Sequence, residues 1–291
     1  MANLAVFCDG TWNTPHDTDG GVPSPTNVVR MYNALSEYDA VGGRQNRYYH
    51  PGVGTDGGRF NRLLEGVTGK GLDRNIMSAY KWVSTRYEAG DKLFLLGFSR
   101  GAYTVRSLAG MIIRCGLLDL VGAEDETAWS SVEVVFDCYR HKKTPMLMQR
   151  PIRMDSARIE IEFLGVWDTV GALGIPDHLA LLNLVDDLRE HDFHDTELSA
   201  QVKRARHAVA IDELRESFSP TLWSNAASHP DAEEVWFPGV HSNVGGGYGQ
   251  TGLSTVLRSV FAAVNYSREQ RKQKLHLRRE GDWRSFPPLP R

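Results

Sequence analysis

The pentapeptide Gly-Phe-Ser-Arg-Gly at residues 97–101 constrains the fold of this chain more than any other feature. An apolar segment at residues 92–96 leads into it, and apolar residues at helical spacing follow it until Gly116. A strand that turns sharply into a helix at Gly-x-Ser-x-Gly is typical of a nucleophile elbow, with Ser99 at the turn. Glycine on both sides removes the Cβ atoms for which such a turn has little room. The pattern alone is common, and a turn that only packs or holds a phosphate is the alternative.

The first half of the chain alternates between predicted strands and predicted helices. Strands are predicted at the apolar run 4–8, around residues 47–50 and at residues 92–96. Two helical patterns separate them, one that follows an N-cap at Thr26 and one that begins at Leu72. Alternation of this kind favours a mostly parallel central sheet with helices on both faces. We therefore predict an α/β fold of the α/β-hydrolase type.

The second half continues the sheet but contains an interruption. We predict a helix at residues 130–140 and further strands at 159–166, 207–211 and 234–237. Residues 175–205 mix apolar and acidic side chains, and we interpret them as a helical insertion and a candidate lid. Because the sequence contains no internal repeat, low-complexity tract or linker, we predict a single domain over residues 1–291.

Composition restricts the class of protein without indicating a partner. Of the 291 residues, 41% are hydrophobic and 24% charged, and the net charge is −3, all ordinary for a globular protein. Three widely separated cysteines indicate free thiols and not a disulfide framework. The first residues do not resemble a signal peptide, and no apolar run approaches the roughly 18 residues of a membrane-spanning helix. We therefore expect a soluble, cytoplasmic protein.

The C-terminal segment at residues 266–291 differs from the rest in charge. It contains eight Lys or Arg residues and three acidic residues, in a chain that is otherwise acidic. A basic tail of this kind can make peripheral contact with an anionic membrane. A solvated helix end followed by a Pro-rich terminus is the simpler interpretation, and we do not expect the chain to bind nucleic acid.

Three predicted strands are each followed by a residue of a predicted hydrolytic triad. Ser99, Asp168 and His241 follow them in this order along the chain, which is the order of α/β-hydrolases. Because the carboxyl ends of parallel strands meet at one edge of the sheet, the three side chains could converge there. A serine hydroxyl becomes an effective nucleophile when an imidazole accepts its proton, and a carboxylate orients that imidazole. The spacing therefore predicts nucleophile, acid and base.

An oxyanion hole requires two backbone N–H donors near the serine. One is expected from Arg100, directly after the serine, and the other from the loop that follows the first strand, with the Thr11 amide preferred. The same loop contains Asp9, Gly10 and Trp12, which we expect to bind substrate or to support the site.

Several other residues compete for these roles. His207 begins a strand, and we expect it to be structural, whereas Cys8 lies within an apolar strand and is expected to be buried and inert. Asp212 is a rival for the acid, although Asp168 follows a clearer strand. Two histidines and two aspartates within residues 191–195 have a spacing that can bind metal, but no third ligand is identifiable, and we predict no metal site.

Six short segments together resemble one known family. They are FCDGTWN at residues 7–13, PGVGT at 51–55, GFSRGA at 97–102, GVWDTVG at 165–171, AIDE at 210–213 and WFPGVHS at 236–242. In this order they are similar to the α/β-hydrolase domain of the type VI secretion phospholipase effectors of the first lipase-effector class, and to the uncharacterised relatives of that class. The resemblance implies a serine esterase or phospholipase with Ser99 as nucleophile, Asp168 as acid and His241 as base.

Two positions depart from the pattern of that family. Asn243 stands where the family usually has Asp, two residues after the histidine, and Thr255 stands where it favours Asp. Neither is a member of the predicted triad, but both can alter the hydrogen bonding around it. We group Asn243 and Asp212 with the residues expected to bind substrate or to support the site.

These observations lead to one main hypothesis and one alternative. The main hypothesis is a serine hydrolase that cleaves a carboxylic ester, such as a phospholipid or another lipid acyl ester, through an acyl-enzyme on Ser99. That chemistry needs no cofactor. The alternative is a catalytically weak protein that keeps the fold and binds a lipid or a protein partner, for which Asn243 and Thr255 are the sequence support.

Overall fold

The structure is a computed structural model that describes residues 1–52, 69–143, 152–154, 159–171 and 196–248. The strands are β1 (Asn3–Cys8), β2 (Thr18–Asp19), β3 (Val22–Pro23), β4 (Gln45–His50), β5 (Lys92–Phe98), β6 (Leu117–Leu118), β7 (Ile152–Met154), β8 (Ile161–Trp167), β9 (Ala205–Ala210) and β10 (Ala232–Phe237). The helices are α1 (Asn27–Ala34), α2 (Gly69–Arg86), α3 (Arg100–Cys115), α4 (Asp125–Arg140) and α5 (His241–Gly245), with short 3-10 helices at Glu216–Phe218 and Ala226–Ser228.

A six-stranded parallel sheet positions the candidate site. Its order is β10-β9-β8-β5-β1-β4, and each neighbouring pair is parallel. After β1 the chain forms β4 on one side and then crosses to β5 on the other. The direction of winding therefore reverses between β1 and β5. Such a switch point, at the carboxyl ends of the strands, is where open α/β sheets bind ligands.

Alternate side chains of the central strands enter two separate cores. The larger core packs residues such as Leu4, Leu93 and Leu95 against α2, α3 and α4. The smaller core, on the opposite face, packs Phe7 and Phe98 with residues of α1 and α5. Helices therefore cover both faces of the sheet, and the predicted α/β-hydrolase fold with a mostly parallel sheet is confirmed.

Most of the predicted elements agree with the structure to within a few residues. The N-cap at Thr26 is confirmed, since its Oγ1 accepts a hydrogen bond from the Val29 amide at 3.2 Å. The helix predicted at residues 130–140 begins earlier, at Asp125. The sequence reading did not identify the short strands β2, β3, β6 and β7 or the helix α5.

The predicted helical insertion at residues 175–205 is tested only at its end. Residues 196–204 form turns and irregular backbone, and Ala205 begins β9, so this part of the prediction was wrong. The remainder of the candidate lid, the residues 191–195 considered for metal binding, Thr255 and the basic tail at 266–291 lie outside the described residues. The helices in the described ranges fall short of the length and apolar character that a membrane-spanning segment requires.

Candidate active site

Ser99 occupies a sharp turn between β5 and α3. Its backbone angles are φ 56° and ψ −122°, a left-handed conformation that side chains rarely adopt, and it is 6% exposed. A Cβ at Gly97 would overlap the carbonyl of Gly101, and a Cβ at Gly101 would overlap the carbonyl of Cys8. Both glycines are therefore required by close backbone approach, as the sequence predicts for a nucleophile elbow.

Asp168 and His241 form a buried hydrogen-bonded pair beside this turn. Asp168 follows β8, the neighbour of β5, and His241 is the first residue of α5. Asp168 Oδ2 lies 2.7 Å from His241 Nδ1, with Asp168 fully buried and His241 4% exposed. The Val170 amide donates to the carbonyl of Ser99 at 3.4 Å, so the turn after Asp168 also contacts the elbow.

The pairing with Asp168 leaves Nε2 as the ring nitrogen of His241 that can serve Ser99. Two aromatic rings flank the imidazole, with centroids 4.6 Å away for Phe98 and 4.8 Å away for Phe218. Among the residues that the structure describes, Ser99 Oγ and His241 Nε2 are not hydrogen-bonded to each other. Catalytic hydrogen bonds of this kind are often long without substrate and shorten when substrate binds.

Glu213 holds the backbone of His241. The sequence predicted no role for this carboxylate. Its Oε2 accepts the His241 amide at 3.2 Å and the Arg215 Nη2 at 2.8 Å. Hydrogen bonds from Arg215 lower the pKa of Glu213 to about 2. The Arg215 guanidinium lies 3.8 Å from the ring centroid of Phe218, which contacts His241. The sequence signals at Glu213 were its position directly after a strand and Asp212, and its place in the segment AIDE at residues 210–213.

The loop after β1 lies next to the elbow because β1 and β5 are neighbours. The Thr11 amide has no hydrogen-bond acceptor among the described residues, and its Oγ1 is buried without a partner there. The Arg100 amide begins α3, directly after Ser99. Both predicted oxyanion donors therefore follow adjacent strands at the switch point of the sheet.

Asp9 holds this loop in place through hydrogen bonds to its carboxylate. Its Oδ1 accepts the Gly10 amide at 2.8 Å, and its Oδ2 accepts the hydroxyls of Thr26 at 2.8 Å and Tyr49 at 2.9 Å. Burial raises the pKa of the carboxyl to about 6, since Asp9 is 3% exposed. Its hydrogen bonds link the loop after β1 to the start of α1 and to β4. Gly52 also packs against this loop, since a Cβ there would overlap the Gly10 carbonyl.

Three other predicted residues have no hydrogen bond to the pair among the described residues. Asn243 Oδ1 accepts the Val240 amide at 3.0 Å, so its side chain caps its own helix. Asp212 Oδ2 accepts the Gly239 amide at 2.6 Å and holds the turn before His241. Trp12 is 55% exposed, with a left-handed φ of 60°.

One cation, Arg100, and one thiol, Cys8, lie near the site in buried environments that change their pKa. The Arg100 guanidinium lies 6.0 Å from the ring centroid of Trp12, and burial lowers its pKa to about 10. Cys8 is buried, as predicted, and burial raises the pKa of its thiol. No group of three or more His, Cys, Asp or Glu side chains in the described ranges is arranged to hold a metal ion.

Comparison with known proteins identifies one family. Residues 2–262 match the model of the type VI secretion phospholipase effector Tle1-like catalytic domain. An uncharacterized protein of Saccharomyces cerevisiae is 31% identical over 241 residues, which are 74% of this chain and 32% of that protein. The chain therefore spans about a third of the length of this curated relative.

Two solved structures share the fold. The crystal structure of an uncharacterized protein from Pseudomonas aeruginosa has a TM-score of 0.52 and 19% identity, over 90% of this chain and 45% of that one. The structure of the Tle1 effector bound to the VgrG spike of the type VI secretion system has a TM-score of 0.53 and 18% identity, over 86% of this chain and 52% of that one. This chain thus corresponds to about half of each.

Proposed function

Because this chain belongs to the family of Tle1-like phospholipase effector catalytic domains, we propose that it is a serine hydrolase that cleaves a carboxylic ester of a lipid. The observation that carries the proposal is the buried Asp168–His241 pair, 2.7 Å between Oδ2 and Nδ1, beside a serine held in a left-handed turn. An aspartate that fixes the proton of a histidine on Nδ1 leaves Nε2 free to accept a proton from a hydroxyl.

The reaction begins with attack of Ser99 Oγ on the ester carbonyl carbon. His241 Nε2 accepts the hydroxyl proton, and Asp168 stabilises the imidazolium that forms. The amides of Arg100 and Thr11 donate to the oxyanion of the tetrahedral intermediate. His241 then gives its proton to the leaving alcohol, which leaves an acyl group on Ser99. Water then gives a proton to His241 Nε2 and attacks the acyl carbon. The bond from that carbon to Ser99 Oγ breaks, His241 returns the proton to Oγ, and the carboxylic acid leaves.

A phospholipid is the substrate class that we favour, because the family is one of phospholipase effectors. The exposed indole of Trp12 lies on the loop that supplies the proposed oxyanion donor Thr11, where an apolar ring suits an acyl chain. Asn243 gives the binding-protein alternative little support, since its side-chain oxygen caps a helix by accepting the Val240 amide.

The test combines turnover with labelling of the nucleophile. We expect Ser99→Ala to lower turnover of p-nitrophenyl esters and of phospholipid vesicles on the order of 10⁴- to 10⁶-fold and to abolish labelling by a fluorophosphonate. Ser130→Ala, at an exposed position on α4, is the matched control and should retain both. Labelling that persists in folded Ser99→Ala, or a wild-type protein that binds phospholipid without cleaving it, would refute the assignment.

A further inference from the structure

A second histidine–carboxylate pair lies directly behind the acid of the proposed triad. His207 on β9 and Glu234 on β10 are partners in the parallel register of these two strands. His207 Nδ1 lies 3.0 Å from Glu234 Oε1, and the two side chains are 0% and 6% exposed. The pair is thus closed off from solvent.

The hydrogen bonds around His207 determine which of its ring nitrogens carries the proton. Its Nε2 accepts the backbone amide of Thr169 at 3.2 Å. A backbone N–H is always a donor, so Nε2 carries no proton, and the proton of the neutral ring is on Nδ1. Nδ1–H therefore donates to Glu234 Oε1, which also accepts the Trp223 amide at 2.9 Å.

This arrangement fixes the peptide that follows Asp168. Asp168 has a φ of 38°, a left-handed conformation that costs on the order of 1 kcal/mol and persists only where the surroundings determine it. Two backbone groups of β9 form hydrogen bonds with Asp168. The Asp168 amide donates to the Ala208 carbonyl at 2.7 Å, and Asp168 Oδ1 accepts the Ala210 amide at 2.8 Å. His207 adds the contact to Thr169, one residue beyond.

We propose that His207, held by Glu234, is a positioning residue that directs the Asp168 carboxylate toward His241. The proposal rests on the proposed function, because it assigns His207 to the same triad. His207 and Glu234 touch no reacting atom and transfer no proton. By accepting the Thr169 amide, His207 keeps the turn in the conformation in which Asp168 Oδ2 faces His241 Nδ1.

Two amide substitutions of different length separate this role from simple core packing. In His207→Gln the side-chain oxygen reaches the position of Nε2 and can accept the Thr169 amide. In His207→Asn the amide reaches only the position of Nδ1, so the contact to Glu234 is kept and that to Thr169 is lost. Glu234→Gln is the control, because its oxygen can still accept the hydrogen bonds of His207 and Trp223.

We expect kcat of each variant to depend on whether its side chain at residue 207 can still accept the Thr169 amide. His207→Asn should lower kcat by about 10²-fold, the cost of misplacing a catalytic group by about 1 Å, with KM little changed. His207→Gln and Glu234→Gln should retain kcat to within about tenfold. Equal losses in the two His207 variants, or a change in KM in place of kcat, would contradict the proposal.

A spectroscopic readout makes the test independent of any substrate. The proton shared by His241 Nδ1 and Asp168 Oδ2 should give a low-field proton NMR resonance, assigned by its loss in His241→Gln. We expect the resonance to persist in His207→Gln and to move or disappear in His207→Asn, with thermal unfolding used to verify the fold.

Loss of the resonance from folded His207→Gln overturns the positioning role, even where His207→Asn does not fold. Wild-type protein that shows the resonance but no ester turnover or fluorophosphonate labelling refutes the proposed function alone.

Discussion

Asp9 allows the electrostatics of the site to be measured directly, because burial raises the pKa of its carboxyl to about 6 from an ordinary value of 3.8. A folded state that binds this proton more tightly than the unfolded state is stabilised by protonation. That stabilisation is complete below pH 3.8 and is lost as the pH rises through about 6. About two pKa units at 1.36 kcal/mol each mean that ionised Asp9 costs the folded state about 3 kcal/mol at neutral pH.

Asp9→Asn removes this charge and keeps the shape of the side chain. The amide oxygen can still accept the Gly10 amide, but the amide nitrogen must donate to the hydroxyls of Thr26 and Tyr49, which now donate to the carboxylate. One or two weakened hydrogen bonds cost about 1 kcal/mol each. The expected net effect at pH 7.5 is therefore a gain of about 1 to 2 kcal/mol in the free energy of unfolding.

Urea unfolding followed by tryptophan fluorescence between pH 4 and pH 8 gives the comparison. The difference in stability between Asp9→Asn and wild type should increase as the pH rises from about 4 to about 6 and then remain constant. Asp119→Asn, where the carboxylate accepts an N–H within its own turn, is the control and should show no such dependence. A variant that is less stable than wild type by the same amount at every pH would refute the reasoning. It would mean that the three donors around Asp9 already keep the carboxylate ionised at pH 4.

Two further substitutions test the scaffold of the site. Glu213→Gln removes one of the two carboxylate oxygens that together hold Arg215 and the His241 amide. We therefore expect the free energy of unfolding in urea to fall by about 1 to 3 kcal/mol, and kcat to be lower. An unchanged free energy of unfolding together with an unchanged kcat would contradict the role of Glu213. Gly101→Ala places a methyl group against the Cys8 carbonyl and should destabilise by about 3 kcal/mol or prevent folding. Gly171→Ala, where the nearest atom is 3.6 Å away, should have little effect, and equal stability of these two glycine variants would argue against the close approach at the elbow.

The features of the site that the sequence predicted are local ones. The elbow follows from glycines two residues on either side of Ser99, and the N-cap of α1 follows from Thr26 and the apolar residues after it. Asp168 and His241 were found because each comes shortly after an apolar strand, and parallel strands bring their carboxyl ends to one edge. These predictions needed no knowledge of the order in which the strands pair.

The features that the sequence did not predict depend on strand order and register. The strands predicted at residues 207–211 and 234–237 begin with His207 and Glu234, which the structure places opposite one another. No sequence pattern states that these strands are neighbours, so the pairing could not be deduced. Phe218 lies on a short 3-10 helix without periodic signal, and its contact with His241 depends on the loop that Glu213 and Arg215 hold together.

The carboxylates of Asp9, Asp168 and Glu234 are all buried, but they differ in what their charge can do. Each accepts hydrogen bonds from N–H or O–H groups, as a buried carboxylate requires. Asp9 accepts from groups that stay neutral, and Glu234 accepts from a backbone amide and from an imidazole whose other nitrogen is occupied by an N–H. Asp168 alone of the three faces a ring that becomes positively charged in the proposed reaction. The free-energy cost of burying the Asp168 charge is therefore offset when the imidazolium forms. Neutralising Asp9, in contrast, should stabilise the protein without removing a group that the proposed reaction uses.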